Sequence, residues 1–210
     1  RRQRQMCIRD RYYTACGYDA ICVTDHYNRE CFDYAEIDLT TPGSKTQAFL
    51  QGYHRLKKVS EKYNIRVYAG AELRFDESNN DYLLYGFHDA LLADPDRVMR
   101  EGLAAFAPQY RADGALLVQA HPFRKKCTPA PAEYLDGIEV LNLNPRHDSH
   151  NDLALAYAKE HHLIMTAGSD CHRPGDQGTT GILSDTLPED SFGLADLLRS
   201  GNYTIIHPES

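Results

Sequence analysis

Short apolar runs alternate with longer amphipathic stretches along the chain, and this alternation constrains the fold more than any other feature. Most of the runs are apolar on both faces, which is typical of buried and largely parallel strands. The stretches between them are long enough to form connecting helices. The sequence therefore predicts an α/β fold, either a barrel or a doubly wound sheet. The predicted strands are Ala20–Thr24, Val67–Ala71, Leu83–Phe87, Ala115–Gln119, Ile138–Leu141, Ile164–Ala167 and Tyr203–Ile206.

Four helices are predicted between these runs from helical spacing of their apolar residues. Asp94 followed by Pro95 is typical of a helix start, because the aspartate caps the first turn and proline suits the first helical position. Either Asp148 or Ser149 is the predicted cap of the third helix, and Gly201 is expected to end the fourth. The predicted helices are Phe49–Tyr63, Asp94–Tyr110, the segment that follows the cap at 148 or 149, and Asp190–Ser200.

Charge and composition exclude several classes of protein. The 210 residues carry 30 acidic and 23 basic side chains, for a net charge of −7, so the basic face that binds nucleic-acid backbones is not indicated. No apolar run approaches the roughly 20 residues that span a bilayer, and no signal-peptide pattern follows the charged start. The six cysteines form no C-x-x-C pair, which argues against a structural zinc site. We expect a single cytoplasmic domain with reduced thiols.

Polar side chains of metal-binding type follow the predicted strands where each strand ends. They are Asp25 and His26, Glu72, His121, Asn142, and Ser169 with Asp170 and His172. In a parallel barrel the C-terminal strand ends share one rim, so these side chains are expected to converge. Buried carboxylates and imidazoles need partners, and a metal supplies them. A mixed imidazole and carboxylate set without thiolate suits Zn, Mn or Fe, and bridging carboxylates indicate two or three divalent metals.

Five segments resemble successive motifs of the PHP (polymerase and histidinol phosphatase) family, in the family's order. They are Thr24–His26, Gly70–Glu72, Ala120–Pro122, Gly137–Val140 leading into Asn142, and Gly168–His172. The matching region extends roughly from Ala15 to His172. The resemblance implies a distorted TIM-like (β/α)7 barrel that holds up to three divalent metals at its rim.

The same resemblance implies roles for the residues at the rim. His26 and His172 would help to hold one metal, Glu72 would bridge two metals, His121 would bind one of those two, and Asp170 would bind another. Members of the family hydrolyse phosphomonoesters and sometimes phosphodiesters, with a metal-bound hydroxide attacking phosphorus while the cations neutralise developing charge. We therefore expect Glu72, His121 and Asp170 to be catalytic. The expected substrate is small and phosphorylated, either histidinol phosphate or a nucleotide phosphate.

One further ligand is open between two positions. The family places another histidine in or near the strand after the Gly-x-Glu motif, and here Asp81 begins that strand while His88 ends it. Only eight residues separate Glu72 from Asp81, and they contain a turn signal, whereas a parallel crossover needs about a dozen or more residues. A hairpin would return Asp81 to the rim that carries Glu72, and a carboxylate there would suit Mn or Fe. His88 is the alternative ligand.

Two arginines and one asparagine are candidates for substrate binding. Arg124 lies three residues after His121, and Arg146 follows the strand that ends at Asn142. Guanidinium groups bind phosphate through two parallel hydrogen bonds, so both arginines are candidate phosphate clamps. A solvated surface arginine is the alternative for each.

The family's first motif, a His-x-His on a short strand, has no counterpart before Thr24, since no histidine precedes His26. We expect residues 1–11 to be a foreign or disordered leader, and residues 12–210 to be a PHP-like domain truncated at its N-terminus and lacking the first barrel strand. A diverged family member is the alternative. Either way one metal would lack imidazole ligands, so we predict weakened or absent turnover in this chain.

Two other functions remain open from the sequence. The first is a non-catalytic PHP-like module that binds metal without turnover, which the missing motif favours and the presence of Glu72, His121 and Asp170 disfavours. The second is an amidohydrolase-type enzyme that cleaves C–N bonds. That superfamily also uses histidines and aspartates at a barrel rim, but usually with a carboxylated lysine, and no lysine ends a predicted strand here.

Overall fold

Six strands form one curled, half-barrel sheet in the computed structural model, which describes residues 13–34, 44–173, 175–176 and 180–207. The predicted leader at residues 1–11 lies outside the described residues. The strands of this sheet are β1 (Ala20–Tyr27), β2 (Arg66–Leu73), β3 (Tyr82–Tyr85), β4 (Leu116–Gln119), β5 (Gly137–Asn142) and β6 (Ile164–Gly168). The prediction of an α/β fold is confirmed in this form. Closure into a seven-stranded TIM-like barrel stays a prediction, because β1 and β6 are the edges of the sheet among the described residues.

The strands lie in chain order across the sheet, and β3 alone is antiparallel to its neighbours. The predicted hairpin between β2 and β3 is therefore confirmed. In the register of the sheet, Tyr82 at the start of β3 lies opposite Leu73 on β2 and Gln119 on β4. The start of β3 consequently shares one rim with the C-terminal ends of the parallel strands.

Two short strands form a separate antiparallel sheet, β7 (Gly181–Leu183) with β8 (Thr204–Ile206). The predicted strand at Tyr203–Ile206 is confirmed as β8, although it lies outside the main sheet. Strand β7 was not predicted, because three residues are too few to show any periodic pattern.

The helices are α1 (Arg29–Tyr34), α2 (Ser44–Ser60), α3 (Pro95–Asp113), α4 (Asn151–Glu160) and α5 (Ser191–Ser200). The predicted start of α3 is confirmed, since a carboxylate oxygen of Asp94 accepts a hydrogen bond from the Arg97 amide. Gly201 ends α5 with a left-handed φ of 69°, as predicted. No helix among the described residues is long and apolar enough to cross a membrane.

The prediction of Asp148 or Ser149 as the cap of α4 was wrong. The residue before the helix is His150, which has a left-handed φ of 47° and makes no side-chain capping bond. Asp148 instead accepts a hydrogen bond from the His150 amide at 3.0 Å, so it stabilises the turn before the helix. Ser149 is turned towards the rim, where its hydroxyl accepts a hydrogen bond from Arg124.

Aromatic side chains fill the core between the sheet and helices α2 and α3. The largest fully buried ones are Tyr27, Phe75, Tyr82, Phe106 and Tyr110. The buried hydroxyl of Tyr27 donates a hydrogen bond to the Leu92 carbonyl at 2.8 Å, so its burial leaves no polar atom unsatisfied. A second apolar cluster packs α5 against β2, β3 and β4. These two cores hold the strands whose ends carry the polar rim.

Candidate metal centre

Glu72 lies at the C-terminal end of β2, between two imidazoles. Its partner in the sheet register is His26 on β1, whose Nδ1 lies 3.0 Å from one carboxylate oxygen of Glu72. The other oxygen lies 3.5 Å from Nε2 of His121, which directly follows the end of β4. Glu72 and His121 are both buried. Three strand ends therefore bring one carboxylate and two imidazoles together.

Asp81 also lies beside this cluster. It directly precedes β3, which runs antiparallel to β2 and β4. The hairpin returns Asp81 to the rim, where a carboxylate oxygen lies 3.8 Å from Nε2 of His121. Glu72, Asp81 and His121 are all buried, and each offers a ligand atom such that the three atoms lie within 4.8 Å of one another. His88 is exposed beyond the other end of β3 and pairs with Asp113 at 3.3 Å. Of the two open positions, the structure brings Asp81 to the cluster.

A second group of polar side chains follows β6. Asp170 has a left-handed φ of 47°, and one of its carboxylate oxygens lies 3.1 Å from Nδ1 of His172. The other ring nitrogen of His172 lies 3.4 Å from Nε2 of His26. Because the remaining nitrogen of His26 faces Glu72, the two histidines connect the Asp170 group to the Glu72 group.

The electrostatics of the Glu72 group favour a carboxylate with charged imidazoles. Burial raises the pKa of Glu72, but the imidazoles of His121 and His26 lower it by more than burial raises it. The pKa of Glu72 therefore falls well below its usual range. Burial lowers the pKa of His121, but the sulfur of Cys127 and the carboxylate of Glu72 outweigh it and raise the pKa to about 10. Without a bound cation, His121 is therefore protonated at neutral pH.

The electrostatics of the second group, Asp170 with His172, likewise favour a carboxylate beside a protonated imidazole. The hydrogen bond from His172 to Asp170 raises the pKa of His172 to about 9. Burial raises the pKa of Asp170, yet His172 and Arg124 together lower it far below its usual range. A divalent cation entering either group would therefore replace protons on the imidazoles.

The donor set fits a divalent metal. It consists of buried carboxylate oxygens and imidazole nitrogens, which suit Zn, Mn or Fe. Nδ1 of His26 and one carboxylate oxygen of Asp170 are buried and make no hydrogen bond, although each lies close to an opposite charge. Buried polar atoms that lack hydrogen bonds call for a further partner, and a cation beside either atom would be such a partner.

Arginines contact two of the candidate carboxylate ligands. Both nitrogens of the Arg74 fork donate to Asp81 at 2.7 Å. Burial raises the pKa of Asp81, and the Arg74 hydrogen bonds offset that effect only in part. On the other side of the rim, Nη1 of Arg124 lies 2.9 Å from Asp170. Nη2 of Arg124 donates to the Asn142 side chain at 2.8 Å, so two of the three predicted substrate-binding residues contact each other at the Asp170 side of the rim.

Arg146 lies near the rim, but its guanidinium is bound to another residue. Its two terminal nitrogens donate to the carboxylate of Asp176 at 2.7 and 2.8 Å. Asp176 also accepts hydrogen bonds from the backbone amides of His172 and Arg173, at 3.0 and 2.7 Å. The structure thus places Arg146 where it supports the turn that carries His172.

Sequence reasoning missed three residues that hold the site together: Arg74, Asp176 and Glu139. Glu139 is the one for which a signal existed, because a charged residue inside the apolar run of β5 must find partners once buried. Burial raises the pKa of Glu139 to about 7. Arg74 and Asp176 lie outside any periodic element, and their spacing carries no signal.

A family model described as PHP-associated matches residues 148–200. This segment contains α4, β6, the turn from Asp170 to His172, β7 and α5. It therefore includes Asp170 and His172, two of the candidate ligands at the rim. No curated protein matches the sequence.

Solved structures share the fold at low sequence identity. A two-domain protein of Bacteroides vulgatus that contains a predicted PHP-like metal-dependent phosphoesterase is 15% identical, with a TM-score of 0.68 over 97% of this chain, which spans 60% of that protein's chain. PsfC from Pseudomonas syringae is 18% identical, with a TM-score of 0.62 over 96% of this chain and 81% of PsfC. A protein of Bifidobacterium adolescentis with a proposed metal-dependent phosphoesterase function is 15% identical, with a TM-score of 0.52 over 93% of this chain and 90% of that one. The family model thus matches residues 148–200, and the solved structures show that the fold is shared.

Proposed function

We propose that the rim binds divalent cations and hydrolyses phosphate esters. The observation that carries the proposal is the buried group of Glu72, Asp81 and His121, whose ligand atoms lie within 4.8 Å of one another. Two buried carboxylates whose oxygens lie close to one imidazole nitrogen form a donor set that a divalent cation would satisfy. The PHP-like phosphoesterase fold of the related structures supports the same reaction class.

Two metal positions follow from the two groups at the rim. Glu72, Asp81 and His121 would hold one cation, and His26, Asp170 and His172 would contribute to a second. Zn, Mn and Fe are the metals that suit these donors. A third cation stays an expectation from the family resemblance. When bound, the cations would neutralise negative charge and would lower the pKa of a water molecule towards neutrality.

Arg124 and Asn142 would bind and orient the phosphoryl group. Arg124 is mostly buried, and its guanidinium is already aligned by Asn142 at 2.8 Å and by Ser149 at 3.2 Å. A preorganised guanidinium at the edge of a metal site matches the geometry of a phosphate anion. We infer a small phosphomonoester as substrate, with histidinol phosphate and nucleotide phosphates as the first candidates to assay.

The experiment measures metal content and hydrolysis on the same protein. The purified chain is loaded with Mn²⁺, Zn²⁺ or Fe²⁺, its metal is counted by plasma mass spectrometry, and p-nitrophenyl phosphate turnover is followed. We expect slow metal-dependent hydrolysis, in line with the weakened turnover predicted from the sequence, and we expect it to be lost in His121→Ala and Asp170→Ala, because each variant removes a ligand from one of the two groups. Asp113→Asn is the matched control, since Asp113 also pairs with a histidine but lies away from the rim.

Metal binding by the parent chain with no hydrolysis of any phosphate ester would contradict the proposal and favour a non-catalytic metal-binding module. The arginine contacts are the observation in favour of that alternative. Arg74 and Arg124 already pair with Asp81 and Asp170, so two of the carboxylates are neutralised without metal. A chain that binds no divalent metal at all would exclude both functions.

A further inference from the structure

Glu139 is buried in the middle of β5 and accepts two hydrogen bonds from residues of the rim. Its Oε2 accepts from the backbone amide of His121 at 3.0 Å and from the side-chain nitrogen of Asn142 at 2.9 Å. The residue is only 3% exposed. A buried carboxyl group is expensive unless its hydrogen bonds are used, so these two contacts determine what the side chain does.

The first contact fixes the backbone of a candidate ligand. His121 has a φ of 29°, a left-handed conformation that residues other than glycine rarely adopt. Such a conformation persists only when surrounding contacts hold it. The hydrogen bond from the His121 amide to Glu139 is such a contact, and it holds the backbone from which the imidazole of His121 extends towards Glu72.

The second contact leads to the other half of the rim. Asn142 donates its side-chain nitrogen to Glu139 and accepts from Arg124 through its side-chain oxygen. Arg124 in turn lies 2.9 Å from Asp170. The carboxyl group of Glu139 therefore connects His121, which follows β4, with Asp170, which follows β6.

The neighbouring strand is shaped to leave room for this carboxyl group. A Cβ atom on Gly168 of β6 would lie 2.7 Å from Oε1 of Glu139, which is closer than real contacts of this kind. The pairing of β5 with β6 also shifts register between Glu139 and Leu141, and a bulge of this kind re-aims side chains beside a site. Both features belong to β5 and β6 and are independent of the hydrogen bonds.

We propose that Glu139 is a positioning residue that aligns His121 and Asp170 with each other through its two hydrogen bonds. The proposal deepens the proposed function and rests on it, because the two aligned residues are the candidate ligands of the two metal groups. Glu139 itself would touch neither metal nor substrate.

The test compares two substitutions of Glu139. Glu139→Gln keeps an oxygen that can accept from both donors, whereas Glu139→Leu has similar size and no acceptor. Each variant is titrated with Co²⁺, whose visible absorption reports ligand geometry, and is assayed with p-nitrophenyl phosphate. In Glu139→Leu we expect Co²⁺ affinity and kcat/KM to fall by about 10-fold or more, and we expect Glu139→Gln to restore most of both.

Asp136→Leu is the matched control. Asp136 also accepts a hydrogen bond from a backbone amide of β4, that of Leu117 at 2.9 Å, but it does so at the opposite end of the strand pair. Thermal unfolding by circular dichroism compares the stability cost of the two leucine variants. The control should lose stability while keeping the Co²⁺ spectrum and affinity of the parent.

Equal Co²⁺ affinity in Glu139→Leu and the parent would overturn the proposal, as would an equal loss of Co²⁺ affinity in Asp136→Leu. Failure of the parent to hydrolyse any phosphate ester would instead count against the proposed function. The Co²⁺ titration needs no turnover, so it decides on Glu139 in that case as well.

Discussion

Glu72 and Asp81, the two carboxylates nearest to His121, are paired with different kinds of side chain. Glu72 lies between the imidazoles of His26 and His121. Asp81, which lies 3.8 Å from the same His121, is instead held by both nitrogens of the Arg74 fork. The two carboxylates are therefore neutralised in the metal-free chain by partners of different chemistry.

This difference matters because only one of the two partners can become a ligand. An imidazole can give up its proton to a competing metal and then bind the metal through nitrogen, whereas a guanidinium stays protonated and has no lone pair to offer. A cation that enters beside Glu72 keeps the histidines as partners. The same cation has to replace the ion pair between Arg74 and Asp81. We therefore expect Glu72 to strengthen metal binding. We expect Arg74 to weaken it, because Arg74 competes with the metal for Asp81.

The largest effect should come from removing the charge of Glu72. Glu72→Gln keeps the size of the side chain but removes the one carboxylate that, within the described part of the chain, contacts both His26 and His121, so we expect Mn²⁺ affinity to fall by about 100-fold or more. Isothermal titration calorimetry measures the affinity directly. Asp113→Asn, which breaks the exposed pair with His88, should leave it unchanged. A Glu72→Gln variant that binds Mn²⁺ like the parent would exclude Glu72 as a ligand.

Removing the competing arginine should act in the opposite direction. Arg74→Met leaves Asp81 without its ion pair, so we expect Mn²⁺ to bind about 10-fold more tightly while the metal-free chain becomes less stable. Titration calorimetry and thermal unfolding without metal measure the two effects. Arg97→Met is the control, because Arg97 pairs with Glu101 in α3 away from the rim. Weaker Mn²⁺ binding in Arg74→Met would mean that the arginine orients Asp81 for the metal and does not compete with it.

The rim was predictable from the sequence because its residues end strands that are easy to recognise. Runs such as Val67–Ala71 are apolar on both faces and are followed directly by a charged residue, here Glu72. The short connection from Glu72 to Asp81 allowed only a hairpin, which places Asp81 at the same rim. Strand periodicity and connection length are local properties, so one sequence suffices to read them.

The partners of the rim residues could not be predicted in this way. Asp176 contacts Arg146 across 30 positions of the chain, and nothing in the local pattern of either residue specifies the other. Arg146 was therefore predicted as a phosphate clamp from its position alone, whereas its guanidinium is bound to Asp176. The start of α4 was missed for a related reason, since a left-handed histidine at position 150 contradicts ordinary capping preferences.

The imidazoles of the rim should make the metal-free chain less stable in alkali. The pKa of His121 is raised to about 10 in the folded chain, so its contribution to stability is complete below the unfolded pKa of about 6.5 and is lost as the pH rises through about 10. We expect the free energy of unfolding of the metal-free chain to fall by about 1 kcal/mol or more between pH 7 and pH 10. Urea unfolding followed by circular dichroism gives this slope.

The contribution of His121 to that slope is isolated by substitution. His121→Gln removes the titrating group, so its stability should depend less on pH over the same range. His54→Gln removes an exposed histidine on α2 and should keep the slope of the parent. Equal slopes in the parent and His121→Gln would mean that other groups account for the pH dependence.

The smallest effect is expected for a substitution of Arg146, one of the two arginines that were predicted to bind phosphate. Arg146→Lys removes the two-pronged contact with Asp176, yet Asp176 still accepts hydrogen bonds from the amides of His172 and Arg173. Because Asp176 keeps these two backbone donors, we expect kcat for p-nitrophenyl phosphate to fall by only about two- to threefold with KM unchanged. Arg124→Lys should instead raise KM, because its guanidinium lies beside Asp170 within the site. A rise in KM in Arg146→Lys equal to that in Arg124→Lys would show that Arg146 leaves Asp176 to bind the substrate.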